Sequence, residues 1–258
     1  MTSPARRHFQ RKVAAKAAGR EPVPAAIQRQ RADPQATEYE HQRAALGVDL
    51  RRLKNIQSLE AKLELKADLI AAYDPWVEGV IEAAKGPDGN FERGKGVADD
   101  ILITTMIWAI DIGDHARAIP RAEYALRYDL PMPSRFERTL GCFVAEAFAE
   151  TALAAHGRGE AIDLDVLLQV EALTEDEDMP DEVRAKLHKA IGFAISARAA
   201  AAQQEGSTEG PAGGARAANE AALKHQRRAL ELNDKAGVKK EIERLEREQK
   251  KLAEAEQE

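Results

Sequence analysis

A single cysteine, Cys142, excludes an intramolecular disulfide framework and fits a reducing compartment. Aromatic residues make up only 5% of the chain, and the turn-bounded Val, Ile and Thr runs that announce strands are scarce, so a sheet protein is not expected. Long apolar runs are also missing. The most apolar stretch, residues 101–110, is bracketed by Asp99, Asp100 and Asp111 and is too short to span a bilayer. No secretory apolar segment follows Met1, and these absences together predict a cytoplasmic protein without a membrane segment. The histidines, at 8, 41, 115, 156, 188 and 225, include no H-E-x-x-H and no Cys/His zinc spacing, so no metal site and no cofactor are expected. What remains is a composition heavy in Ala, Glu, Leu, Lys and Arg, which predicts an all-α fold. At 258 residues the chain can bury the core of one large helical domain or two small ones.

The net charge of −6 conceals an asymmetry. Residues 1–31 carry eight Arg or Lys against the single acid Glu21, leaving an acidic remainder. A basic arm on an acidic body is the pattern of a chain whose end meets nucleic acid.

Residues 1–35 contain Pro4, Pro22, Pro24 and Pro34. A short helix at about 6–18 is expected there, within an otherwise flexible basic arm. From Thr37 to about Ala72 there is no proline, and Leu46, Leu50, Leu53, Ile56, Leu59 and Leu63 follow one helical face, predicting one long helix. Asp74-Pro75 predicts a helix start with Asp74 as N-cap. Residues 97–114 form a helix apolar on nearly every side, which belongs at the centre of the fold. Gly113-Asp114 makes a tight corner into a helix from His115 to Tyr128, giving an αα-hairpin. Helices are expected at about 134–156, 163–173, 180–203, 215–234 and 237–256, with a Gly-rich flexible loop at 204–214. Two hairpins share a tetratricopeptide-like Ala-Leu rhythm. Ala125-Leu126 and Ala229-Leu230 are offset by 104 residues, near three of the roughly 34-residue repeats of that family. The expected organisation is a basic arm (1–35), a helical core (36–203), the loop (204–214) and a C-terminal helical pair (215–258), built as stacked helical hairpins.

Candidate chemistry is sparse. Gly89 to Lys95 fits most of G-x-x-x-x-G-K, but Gly96 replaces the magnesium-binding Ser or Thr, and a helix rather than a strand precedes it, so a flexible loop is the better reading. Asp99 and Asp100 diverge by about 100° on a helix and stand where acids satisfy its dipole, so capping outweighs a metal role. Asp111 and Asp114 flank a glycine corner and read as caps. Glu175 to Asp178 reads as a solvated acidic loop. Trp76, Trp108 and Cys142 read as core residues. No catalytic residues emerge. The candidate DNA-binding residues are Arg6, Arg7, Arg11, Lys12, Lys16 and Arg20. Arg7, Arg11 and, more loosely, Lys16 fall near one face of the short helix, and phosphate contact requires only positive charge within reach. The competing reading is a solubilising tail. Arg51, Arg52 and Lys54 form a second basic cluster that reads equally as a solvated face.

Several stretches resemble the GpM-type small terminase subunit of cohesive-end tailed phages: MTSPARRHFQR, PWVEGVIEAAKG, DDILITTMIWAIDIGDHARAIPRAEYALRYDLPMP, MPDEVRAKLHK and AGVKKEIERLERE. They span most of the chain in the same order. The resemblance implies a subunit that binds the packaging site on viral double-stranded DNA in the host cytoplasm. It further implies recruitment of a large subunit carrying the ATPase and nuclease, and assembly into a homo-oligomeric ring. Members are often named the endonuclease subunit, but no nuclease centre is legible here, so that activity is expected of the holoenzyme. The chain departs from the family pattern in its Gly-rich segment at 206–214 and its acidic end, EAEQE, which shifts expected DNA contact toward residues 1–31. The alternatives are a metal-dependent endonuclease in its own right and a tetratricopeptide-like adaptor that binds only protein.

Overall fold

The computed structural model describes residues 3–18, 34–134, 136–204 and 214–255. Among these residues the chain is all-α, apart from one isolated bridge between Lys85 and Phe91. It divides into two compact units, Met1–Leu140 and Gly141–Glu258.

The first unit contains α1 (Pro4–Ala18), α2 (Pro34–Asn55), α3 (Leu59–Ile70), α4 (Asp74–Ala84), α5 (Asp100–Asp111) and α6 (His115–Arg127). Every residue of α5 from Ile101 to Ile110 is buried, as a helix apolar on all sides requires. Each fully buried Ile or Leu side chain contributes about 1.5–3 kcal/mol, so this helix is the core of the unit. Its buried Thr105 satisfies its hydroxyl by bonding back to the Ile101 carbonyl at 2.8 Å. Asp99 is the N-cap, accepting from the backbone N–H groups of Ile101 and Leu102 at 2.9 and 2.8 Å and from the Trp76 indole at 2.8 Å. Asp114 caps α6 through the Arg117 N–H, completing the expected hairpin. Asp111 has a different partner, the Lys66 ammonium on α3.

Two expectations are corrected in this unit. The helix expected from Thr37 to Ala72 is broken at residues 56–58, where Ser58 takes an extended backbone and its hydroxyl accepts from the Ala61 N–H, starting α3 afresh. Tyr73, rather than Asp74, is the N-cap of α4. Asp74 turns its carboxylate to Arg117 and Arg121 instead. The short helix expected at about 6–18 is present as α1, which lies against α4 and α2; residues 19–33 of the basic segment lie outside the described residues. The crossing is close because position 79 is glycine. A Cβ there would stand 2.4 Å from the Arg11 carbonyl oxygen and 2.7 Å from the Ala14 Cβ.

The second unit contains α7 (Leu140–Gly157), whose first residue closes the first unit, α8 (Leu164–Leu173), α9 (Asp181–Gln204), α10 (Gly214–Leu232) and α11 (Lys239–Ala255). The helix expected from about 134 starts at Leu140, because residues before it are used in turns such as Phe136 N–H to the Pro133 carbonyl at 2.9 Å. Most of the Gly-rich loop expected at 204–214 lies outside the described residues, and α10 packs along α9, so the C-terminal pair belongs to the second unit. That packing is tight at Gly192, where a Cβ would meet the Gln226 amide nitrogen at 2.5 Å. Ala222, Leu223, Ala229, Val238, Ile242 and Leu245 form the buried seam between α10 and α11, with Ile195 of α9 against it. Cys142 is buried. No helix among the described residues is long and apolar enough to cross a membrane.

Candidate functional site

Ser3 and Pro4 start α1 as a cap and first-turn proline should: the Ser3 hydroxyl accepts from the Arg6 N–H at 3.2 Å. Gln10 and Ala14 form the buried face, and Gln10 donates to the Glu38 carboxylate at 3.4 Å. This docking leaves Arg6, Arg7, Lys12 and Lys16 exposed together with Phe9, which is 54% exposed. Arg11 is used differently, pairing with Glu78 of α4 at 2.9 Å. The expected grouping of Lys16 with Arg7 and Arg11 does not hold. Nine residues separate Arg7 from Lys16, and at about 100° per residue that puts them on opposite sides of the helix. Arg20 lies outside the described residues. At about 100° per residue, Arg6, Lys12 and Lys16 therefore lie on the same side of the helix as the exposed Phe9, with Arg7 on the other side.

Several of the remaining sequence candidates have structural roles. In the second basic cluster, Arg52 pairs with Asp49 at 3.0 Å. In the near-P-loop, Phe91 packs edge-on against Tyr124 and Tyr128, both at 5.8 Å between ring centroids, and Lys95 pairs with Glu92 at 2.5 Å. The Tyr128 hydroxyl donates to the Glu92 carbonyl at 2.7 Å. Phe91 anchors this loop between two helices, and its lysine is engaged with Glu92. Asp99 is buried as a cap. Burial pushes its carboxyl above the ordinary range, against the pull of its three N–H donors. Asp74 binds Arg117 through Nε at 3.0 Å and Nη2 at 2.8 Å, and Arg121 at 2.6 Å. Arg121 is 4% exposed, with Nε and Nη1 lacking partners, and burial lowers its pKa. Glu175, Asp176 and Asp178 of the acidic loop are exposed.

The second unit holds a constellation that the sequence did not disclose. Asp163 caps α8, and Arg184 of α9 donates to the Thr174 and Glu177 carbonyls beyond its other end at 3.2 and 2.7 Å, fixing the α8 to α9 turn. Glu171 is thereby presented to α9, where His188 Nδ1 lies 3.2 Å from its carboxylate oxygen. The close α9 to α10 crossing then brings His225 Nδ1 to 3.1 Å from His188 Nδ1 and 3.7 Å from the same Glu171 oxygen. The hydrogen bond from His188 holds the Glu171 carboxyl below its ordinary value, and burial holds His225 below the ordinary histidine value. All three line a cleft of about 800 Å³. They are separated by 17 and 37 residues, so no spacing rule finds them. The available signal was indirect: His225 adjoins Gln226 on the buried stripe of α10, and His188 follows Leu187 on α9.

A family model described as "Phage small terminase subunit" matches residues 43–182. The "Terminase, endonuclease subunit" of Escherichia phage P2 is 43% identical over 250 residues, covering 97% of this chain and 87% of that protein. The chain belongs to the phage small terminase subunit family. No solved structure matches it. The family match begins at Arg43, after α1, and so leaves the basic helix outside it. The P2 similarity extends over nearly the whole chain.

Proposed function

We propose that this small terminase subunit serves viral genome packaging as a DNA-recognition and assembly protein without catalysis of its own. Family membership carries this reading. The exposed Arg6, Lys12 and Lys16 of α1 supply one surface for the phosphate backbone, with Arg7 on the other side of the helix and Arg20 beyond the described helix as further contacts. The partners are viral double-stranded DNA in the host cytoplasm, a large subunit that holds the ATPase and nuclease, and further copies of this chain in a ring. The tetratricopeptide-like rhythm of the hairpins α5–α6 and α10–α11 belongs to the same reading, as surfaces of a kind that take protein partners.

A binding titration tests the DNA contact. Changing Arg6, Arg7, Lys12 and Lys16 to Ala preserves helix propensity and leaves the Arg11–Glu78 pair intact. The expected result is weaker binding to many DNA sequences alike, with the salt dependence flattened by up to about 3–4 in log–log slope. Unchanged affinity and slope would overturn the assignment of DNA contact to α1.

A further inference from the structure

We infer that Glu171, His188 and His225 form a site for one divalent cation of the zinc class, which joins α8, α9 and α10 in the second unit. The three donor atoms span a triangle with edges of 3.1, 3.2 and 3.7 Å. A point about 2 Å from all three exists close to the plane of such a triangle, and zinc bonds to histidine nitrogen and carboxylate oxygen are about 2.0–2.2 Å long. In tetrahedral zinc the ligand atoms are separated by about 3.3 Å, which follows from the same bond lengths. The observed edges bracket that separation.

The chemistry of the donors agrees with the geometry. Two imidazole nitrogens at 3.1 Å cannot both carry hydrogen toward each other, so at least one presents its lone pair to the shared point, beside a carboxylate oxygen. Two imidazoles and one carboxylate are a donor set that suits zinc and its neighbours better than magnesium or calcium, which favour oxygen ligands. The side chains are 16%, 17% and 29% exposed, sheltered from bulk solvent while still lining the cleft. The cleft provides the route of entry, and a water molecule from it completes the fourth position. Lys224, Arg227 and Arg228 also line the cleft, but Arg227 and Arg228 are engaged with Glu246 and Glu231 at 2.7 and 3.1 Å. Because the ligands come from three helices, the ion acts on the fold as a clasp, coupling metal binding to stability.

The test uses full-length protein without a histidine tag, stripped with chelator and titrated with zinc, and in parallel with cobalt(II) as a coloured substitute. About one equivalent per chain is expected, with the intense visible absorption of four-coordinate cobalt. His188→Gln and His225→Gln should each weaken binding at least about tenfold, the scale of effect that outer-shell changes alone produce. His41→Gln, on an exposed histidine of the first unit, should leave binding unchanged. Circular dichroism checks that the variants fold. Should either variant unfold, the same question is read on the unaltered chain, where zinc should raise Tm near neutral pH and lose that effect once the histidines are protonated. No retained metal, or binding indifferent to both histidines, would overturn the site and reduce the cluster to a hydrogen-bonded trio.

Discussion

The two units are built from the same alphabet of small residues, leucines and charged side chains, and both bury polar groups in the packing, but only the second also gathers three partly exposed polar side chains at one place. In the first unit these groups serve the packing. Asp99 caps the central helix and holds the Trp76 indole, while Asp74 gathers Arg117 and Arg121 where α4 meets α6. In the second unit three polar atoms from three helices converge on one point beside a cleft. The contrast separates polar residues that complete a fold from polar residues that, on the inference above, are arranged to take a metal ion.

The sharpest way to break the comparison is Asp74→Ala. It would leave the buried Arg121 guanidinium without its carboxylate, and removal of one partner from a buried pair costs about 3–5 kcal/mol. Chemical denaturation measures it. A loss below about 1 kcal/mol would mean that the Asp74 network is not structural. A smaller effect is expected from Gly79→Leu, which forces side-chain atoms into the α1 backbone. Overpacking of this kind costs about 1–3 kcal/mol. Hydrogen exchange should show residues 4–18 losing protection while α5 keeps it, and uniform loss across the unit would contradict a docked α1.

The smallest effect concerns pH in the second unit. The folded-state values of Glu171 and His225 are both lowered. Their contributions to stability are therefore present above the unfolded values, about 4.3 and 6.5, and are lost as pH falls through the folded ones. With metal removed, Tm should decline by a few degrees from pH 7 to pH 4, given that about 1 kcal/mol corresponds to roughly 2–4 °C in chains of this size. His225→Gln should remove the part of that decline that begins below about pH 6.5. An identical decline in the variant would show that other groups carry it.

Much of the first unit was legible because its signals are local. A helix apolar on every side, an aspartate before it and a Gly-Asp corner after it each act within a few residues, and α5, its cap and its hairpin follow from them. The break at 56–58 was not legible, because the leucine periodicity runs across it and Ser58 is an ordinary helix residue until its hydroxyl is needed as a cap. The docking of α1 depends on Gly79, 65 residues beyond Ala14, and nothing local in the proline- and arginine-rich segment announces that its helix packs on the unit. The Glu171, His188 and His225 cluster was hidden for the same reason. Its positions share no motif, and only the approach permitted by Gly192 against Gln226 brings His225 to His188. Family membership was legible from collinear segments, whereas contacts made by crossing helices were not.

Whether the subunit handles DNA without cutting it is read by incubating the full-length protein with DNA carrying the cohesive-end site. Magnesium, manganese or zinc is supplied and the large subunit is left out. The account predicts salt-sensitive binding with the DNA left intact under every metal. Efficient cutting that persists in the Arg6, Arg7, Lys12 and Lys16 variant, and is abolished by His225→Gln, would contradict it.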